Sequence, residues 1–211
     1  MSDANRAAAG RADGTPVDLA AYDAIVYDLD GTLVYLPIDW AAVAEDVLDV
    51  YAEHAIKPPT DELWGLLGAA EGCGIGDPVE EAIARYERAG ARESTRLPLG
   101  DRLAAQTDDD DDGDDGNTTG PAVGVCSLNC ETACRIAVET HDLDAAVVEE
   151  AIVGRDTVET HKPEPESLLA AIERLDSEPD HALFVGDSER DAVTAERAGV
   201  DYAWVSELVD G

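Results

Sequence analysis

Six side chains spread along the chain have the types and settings that do chemistry. The segment DLDGT puts Asp28 and Asp30 directly after the apolar run AIVY. In an extended segment, residues two apart point the same way, so both carboxylates face one site while Leu29 faces away; Gly31 permits the turn that follows. Two carboxylates ending a buried strand suffer desolvation and mutual repulsion, which a cation relieves. A second pair follows the run HALFVG: Asp187 at the strand end and Asp191 on the first helical turn, positions that can converge on one cation. Ser127 ends the run AVGVC ahead of a helix, where a hydroxyl beside backbone N–H groups can hold an oxyanion. Lys162, in HKPEP, precedes a helix opened by prolines and would cancel charge on a phosphate and on a nearby carboxylate. Together these groups offer cation-assisted handling of an oxyanion. Singly, each also has an ordinary reading, as a capping acid, an acid favoured by a helix dipole or an N-cap serine.

What lends the six weight is that all sit at expected strand ends. AIVY reads as a central strand, AVGVCS and HALFVGD as further strands, and YAWVSEL as a final strand or strand-turn. Between them NCETACRIAVETH, EPESLLAAIERL and RDAVTAERAG carry helical periodicity, the last closed by Gly199, while AAVVEEAIVG is ambiguous and ends in a short strand. This alternation predicts an α/β fold: a three-layer, Rossmann-like core with a mostly parallel sheet, whose ligands gather at the carboxyl ends of the strands. Residues 39–54 repeat apolar positions at helical spacing behind Asp39, a candidate cap, and stop before Pro58 and Pro59; further helical pieces fall at about 60–69 and 77–90. The expected organisation is therefore a flexible leader over 1–21, a core of 22–36 and 97–211, and an inserted helical cap over 37–96. Seven aspartates within positions 108–115 mark 108–120 as an acidic surface loop, without the ligand spacing of a calcium loop.

The charge balance excludes partners. Against 48 Asp and Glu stand 14 Lys and Arg, a formal net charge of −34 in 211 residues that are still 45% hydrophobic. That describes a folded acidic protein, with no basic face for nucleic acid and no attraction to an anionic membrane. The acidic surface resembles the haloarchaeal type found in salt-accumulating microbes, since repulsion among these charges is screened in concentrated salt. No signal-like or membrane-spanning apolar run occurs, so a cytoplasmic location is expected. Cys126, Cys130 and Cys134 invite a metal on one helical face, but lacking a paired C-x-x-C they read more simply as small buried hydrophobes.

The order of DLDGT, a serine after an apolar strand, HKPEP and VGDSERD resembles the four motifs of the haloacid dehalogenase superfamily, in particular its phosphatases with a small helical cap, such as phosphoglycolate phosphatases. The resemblance implies that Asp28 is a nucleophile forming a phosphoaspartate and Asp30 the general acid/base. Ser127 and Lys162 would hold the phosphoryl group. Mg²⁺ would be bound by Asp187 with help from Asp191, Asp28 and the backbone carbonyl of Asp30. The implied activity is hydrolysis of a small phosphorylated metabolite by a monomer or homodimer. A phosphomutase using the same intermediate and a non-catalytic binding protein are the alternatives. Arg85, Arg88, Arg92 and Arg96 supply most of the positive charge of the helical insert, for an anionic substrate or for surface pairing.

Overall fold

The computed structural model describes residues 17–108 and 120–209. At its centre a five-stranded parallel sheet runs in the order β5-β4-β1-β6-β7, formed by β1 (Ala24–Tyr27), β4 (Ala122–Cys126), β5 (Val147–Val153), β6 (Ala182–Gly186) and β7 (Asp201–Trp204). Every residue of β1 is buried, because both faces of the sheet are covered and its side chains alternate between two cores. Ile25 and Tyr27 join Leu183, Val185 and the inner face of α5 (Glu131–Thr140), where Ala133, Cys134, Ala137 and Val138 lie. Ala24 and Val26 join Phe184, Leu168, Ala171 and Ile172 of α6 (Glu166–Glu173), and Ala195 of α7 (Glu189–Ala198). The three-layer α/β core is thus present, with its strands in parallel.

The chain adds β4 and β5 on one side of β1, then crosses to lay β6 and β7 on the other. The switch in winding direction leaves a crevice outside the carboxyl end of β1, flanked by β4 and β6. The ladder carries the backbone of the site residues to this edge: Asp28 N–H donates to Val185 O at 2.8 Å and Ser127 N–H to Val153 O at 3.0 Å.

Between β1 and β4 lie three helices, α1 (Trp40–Glu53), α2 (Leu63–Ala70) and α3 (Gly76–Arg92). Asp39 caps α1, accepting from Ala41 N and Ala42 N at 3.1 and 3.2 Å. The helices enclose their own core of Val43, Val47, Tyr51, Leu66, Ile75, Val79 and Ile83, and the Tyr51 hydroxyl donates to Leu66 O at 2.7 Å. The insert leaves and rejoins the sheet through a ribbon of β2 (Val34–Tyr35) and β3 (Thr95–Arg96), followed by α4 (Pro98–Asp108). Two-residue strands carry no periodicity, so nothing in the sequence reveals this ribbon. The ambiguous stretch before Gly154 is a full strand, β5, and YAWVSEL divides into β7 and α8 (Val205–Val209).

Of the expected leader, residues 1–16 lie outside the described residues. Residues 17–21 are better assigned to the core: Val17 and Leu19 pack on it, and Leu19–Ala21 form a 3₁₀ turn capped by Asp18. The acidic loop read at 108–120 falls outside the described residues except at its ends. Among the described residues, no helix is long and apolar enough to cross a membrane.

Candidate active site

Lys162 stands between two of the predicted acids. Its Nζ donates to Asp28 Oδ1 at 2.7 Å and to Asp191 Oδ1 at 2.6 Å, and all three side chains are at least nine-tenths buried. Asp28 comes from the end of β1, Asp191 from the first turn of α7 and Lys162 from the loop between β5 and α6, whose Lys162–Pro163 peptide bond is cis. The orientation of Asp191 is set locally. Ser188 is the N-cap of α7, and the Asp191 carboxylate reaches back to the Ser188 N–H at 3.2 Å and hydroxyl at 2.5 Å, a reciprocal capping box. The S-x-x-D spacing that signals this box is plain in the sequence, although it escaped the reading of the motif as a ligand pair.

Asp187, the exposed member of the second pair, brings its carboxylate to the same place. One oxygen each from Asp28, Asp187 and Asp191 lie within 4.8 Å of one another. Close approach depends on Gly31, whose φ is +88° and where a Cβ would stand 2.2 Å from Asp187 Oδ2. Three hard carboxylate oxygens in one cluster suit a divalent cation such as Mg²⁺ or Ca²⁺. Both oxygens of Asp191 already accept hydrogen bonds, so Asp28 and Asp187 are the acids better placed for direct ligation, with Asp191 supporting them.

The electrostatics are those of crowded, buried carboxylates around one ammonium. Burial pushes the Asp28 carboxyl up to about 7; Lys162 opposes the rise, while Asp191 and Asp187 add to it. Burial favours neutral Lys162, yet Asp28 and Asp191 outweigh it and hold the ammonium above its ordinary range. Asp187 is raised by burial and by Asp191. Asp30 is also raised, by burial first; the Leu36 N–H donating to Oδ1 at 2.8 Å opposes this, and Asp187 and Glu87 reinforce it. Its carboxylate is not among the three that cluster.

Ser127 occupies the adjoining strand end and is buried. Its buried hydroxyl accepts from Asn129 N and Nδ2, each at 3.2 Å, and the nearby Cys134 thiol donates to Asn129 O at 3.7 Å. Two N–H groups at the helix start are taken: Cys130 N–H goes to Glu87 Oε2 at 2.9 Å and Glu131 N–H to Asp156 Oδ1 at 2.7 Å. Any hold on an oxyanion here therefore rests on the Ser127 hydroxyl and not on those two N–H groups. Cys126, Cys130 and Cys134 are buried free thiols whose ionisation burial opposes, and among the described residues they form no metal-ligand group.

The sequence reading missed the groups that join the insert to this site. Arg155, in the loop after β5, binds Glu80 and Glu87 of α3, and its guanidinium also meets the Trp64 ring of α2, 6.0 Å from its centroid. The Arg190 guanidinium lies 5.7 Å from the same ring. The four arginines of the insert are occupied elsewhere: Arg85 by Asp46, Arg88 by Glu81, Arg92 by Arg88 O and Arg96 by Asp101. Surface pairing accounts for them.

A family model for haloacid dehalogenase-like hydrolases matches residues 119–205. A phosphoglycolate phosphatase of Rhodospirillum rubrum is 35% identical over 205 residues, covering 87% of this chain and 79% of that protein. Another, from Cereibacter sphaeroides, is 31% identical over 196 residues, covering 87% and 84%. Among solved structures, a hydrolase from Pseudomonas syringae has the same fold, with a TM-score of 0.60 at 21% identity over 88% of this chain and 89% of that one.

Proposed function

Because the chain belongs to the haloacid dehalogenase-like hydrolases, we propose that it is a Mg²⁺-dependent phosphomonoester hydrolase that acts on a small phosphorylated metabolite through a phosphoaspartate on Asp28. The observation that carries this reading is the linkage Asp28–Lys162–Asp191, with Asp187 alongside, at the crevice between β1 and β6. Mg²⁺, held by Asp28, Asp187 and the backbone carbonyl of Asp30 with Asp191 in support, would offset the negative charge of a phosphate ester.

Lys162 holds Asp28 Oδ1, which leaves Oδ2 to attack phosphorus. As the new P–O bond forms, the ester P–O bond breaks and Asp30 delivers its proton to the departing alkoxide. Burial raises the pKa of Asp30, the direction a proton donor needs. Asp30 then takes a proton from the water that cleaves the phosphoaspartate, which releases inorganic phosphate and restores Asp28. Lys162 offsets the charge of the phosphoryl oxygens, to which the Ser127 hydroxyl would donate a hydrogen bond. The helical insert shields the reaction from bulk water and selects the leaving group.

Phosphoglycolate, named in the relatives that match most of the chain, is the first substrate to test. The acidic surface suits a saline interior, so the assay belongs in molar KCl. Phosphate release across a panel of phosphate esters, with and without Mg²⁺, should show metal-dependent hydrolysis that Asp28→Asn abolishes. Isomer interconversion without phosphate release would replace this reading with a phosphomutase, and an active Asp28→Asn protein would remove the nucleophile.

A further inference from the structure

Twelve arginines and two lysines carry the formal positive charge of this chain, and nearly every described guanidinium has an oxygen partner. Arg85, Arg88, Arg96, Arg135, Arg155 and Arg197 pair with carboxylates. Arg92, Arg102 and Arg174 donate to backbone carbonyls. Arg190 is the exception: among the described residues its guanidinium makes no ion pair or hydrogen bond, and it meets only the Trp64 ring. It sits between Glu189 and Asp191 on the first turn of α7, half-buried, where the core faces the insert. In a protein with 48 acidic residues, leaving a half-buried guanidinium without an anion is a costly arrangement unless a ligand supplies one.

Resting on the hydrolase reading, we propose that Arg190 is a specificity-determining residue that binds a carboxylate carried by the leaving group of the phosphate ester. The cation–π contact with Trp64, 5.7 Å from guanidinium carbon to ring centroid, uses none of the N–H groups and leaves them to make the two parallel bonds a carboxylate accepts. The other cations nearby are spent. Arg155 is saturated by Glu80, Glu87 and Leu128 O, and Lys162, bonded to Asp28 and Asp191, is assigned to the phosphoryl group. His161 is a weaker cation than an ordinary histidine, because burial first, then Arg155 and Arg190, lower its pKa against the opposing Glu80. One unpaired guanidinium matches a singly charged carboxylate; a second phosphate would bring surplus negative charge into an already acidic crevice. Because Trp64 belongs to the insert and Arg190 to the core, a carboxylate bound here would also bridge the two.

The test compares two esters of similar size, 2-phosphoglycolate and 2-hydroxyethyl phosphate, which differ by a carboxylate against a hydroxymethyl group. The ratio of their kcat/KM values should fall by about 30-fold in Arg190→Gln, the scale of a lost charge-assisted pair, and by less in Arg190→Lys, which keeps charge without the fork. A ratio unchanged within threefold in both variants, with native circular dichroism, would overturn the role of Arg190. Calorimetric titration of the same two esters into Asp28→Asn, with and without Arg190→Gln, reads the ratio without turnover. Absence of phosphate release from both esters and from p-nitrophenyl phosphate by the parent protein would defeat the hydrolase reading, whereas an unchanged affinity ratio would defeat this one.

Discussion

Glu87 of the insert and Arg155 of the core form a two-pronged ion pair, Nη1 to Oε1 at 2.6 Å and Nη2 to Oε2 at 3.1 Å, with both side chains almost wholly inaccessible to water. The pair also organises the loop that carries Ser127. Glu87 accepts from Cys130 N–H, while the backbone N–H of Arg155 donates to Asn129 O at 2.9 Å. The insert is therefore anchored to the core along α3, through groups that bracket one strand end of the site. Breaking one side leaves a buried charge and an unsatisfied N–H. Glu87→Ala is expected to cost about 3–5 kcal/mol of stability, whereas Glu87→Leu with Arg155→Leu should recover much of that loss. Urea denaturation in molar KCl checks both; equal losses in the single and double variants would show that packing, not charge, holds the two parts together.

Lys162 makes a second prediction, because it is the only cation bonded to Asp28 and Asp191 among the described residues. Lys162→Met places two buried carboxylates side by side with nothing between them. Phosphatase activity should fall at least about 100-fold, as for loss of a group that stabilises transition-state charge. Without metal, the melting temperature should fall as well, and Mg²⁺ should raise it more in Lys162→Met than in the parent, since a divalent ion replaces the missing charge. Calorimetry with and without EDTA makes the comparison. A metal response smaller than the parent's would mean that the carboxylates protonate in place of binding the ion.

Most of the core was legible because its strands are buried on both faces and its helices on one. The run AIVY and the spacing of Leu168, Ala171 and Ile172 are direct records of those environments. The acids and Lys162 could be singled out because strand ends in a parallel sheet are where ligands gather. Less legible was what depends on long-range packing. Glu87 looks like any acid on an amphipathic helix until α3 is laid against α5 and the side chain becomes fully buried. Ser127 has the right position, but Asn129 holds its hydroxyl oxygen by two hydrogen bonds that no motif announces. The β2–β3 ribbon joins residues some 60 positions apart, which no local pattern can announce.

Gly31 joins backbone geometry to the cation site. Its φ of +88° is costly for any residue with a Cβ, and an alanine there would place that atom 2.2 Å from Asp187 Oδ2. Gly31→Ala should thus displace Asp187 from the carboxylate cluster, on top of about 1 kcal/mol or more of backbone strain. The expected signature is a weakened dependence on Mg²⁺: a metal concentration for half-maximal activity raised at least about 10-fold, at a melting temperature only a few degrees lower. A loss of stability without any change in metal dependence would place Asp187 outside the cation site.

Surface charge governs the last expectation. With a net charge of −34, exposed acids such as Asp144, Glu159 and Glu173 repel their neighbours without an opposing side chain hydrogen-bonded to them among the described residues. Raising the salt from 0.1 to 1 M shortens the Debye length from about 10 Å to about 3 Å, so self-repulsion in the compact state should fade over that range. The melting temperature should climb steeply with KCl up to about 1 M and then flatten. Replacing Asp144, Glu159 and Glu173 by lysine should raise it in dilute buffer and shrink the climb, leaving the high-salt value nearly unchanged. If tetramethylammonium chloride at equal ionic strength reproduces the KCl curve, screening accounts for the effect; a response confined to K⁺ would point to bound cations instead.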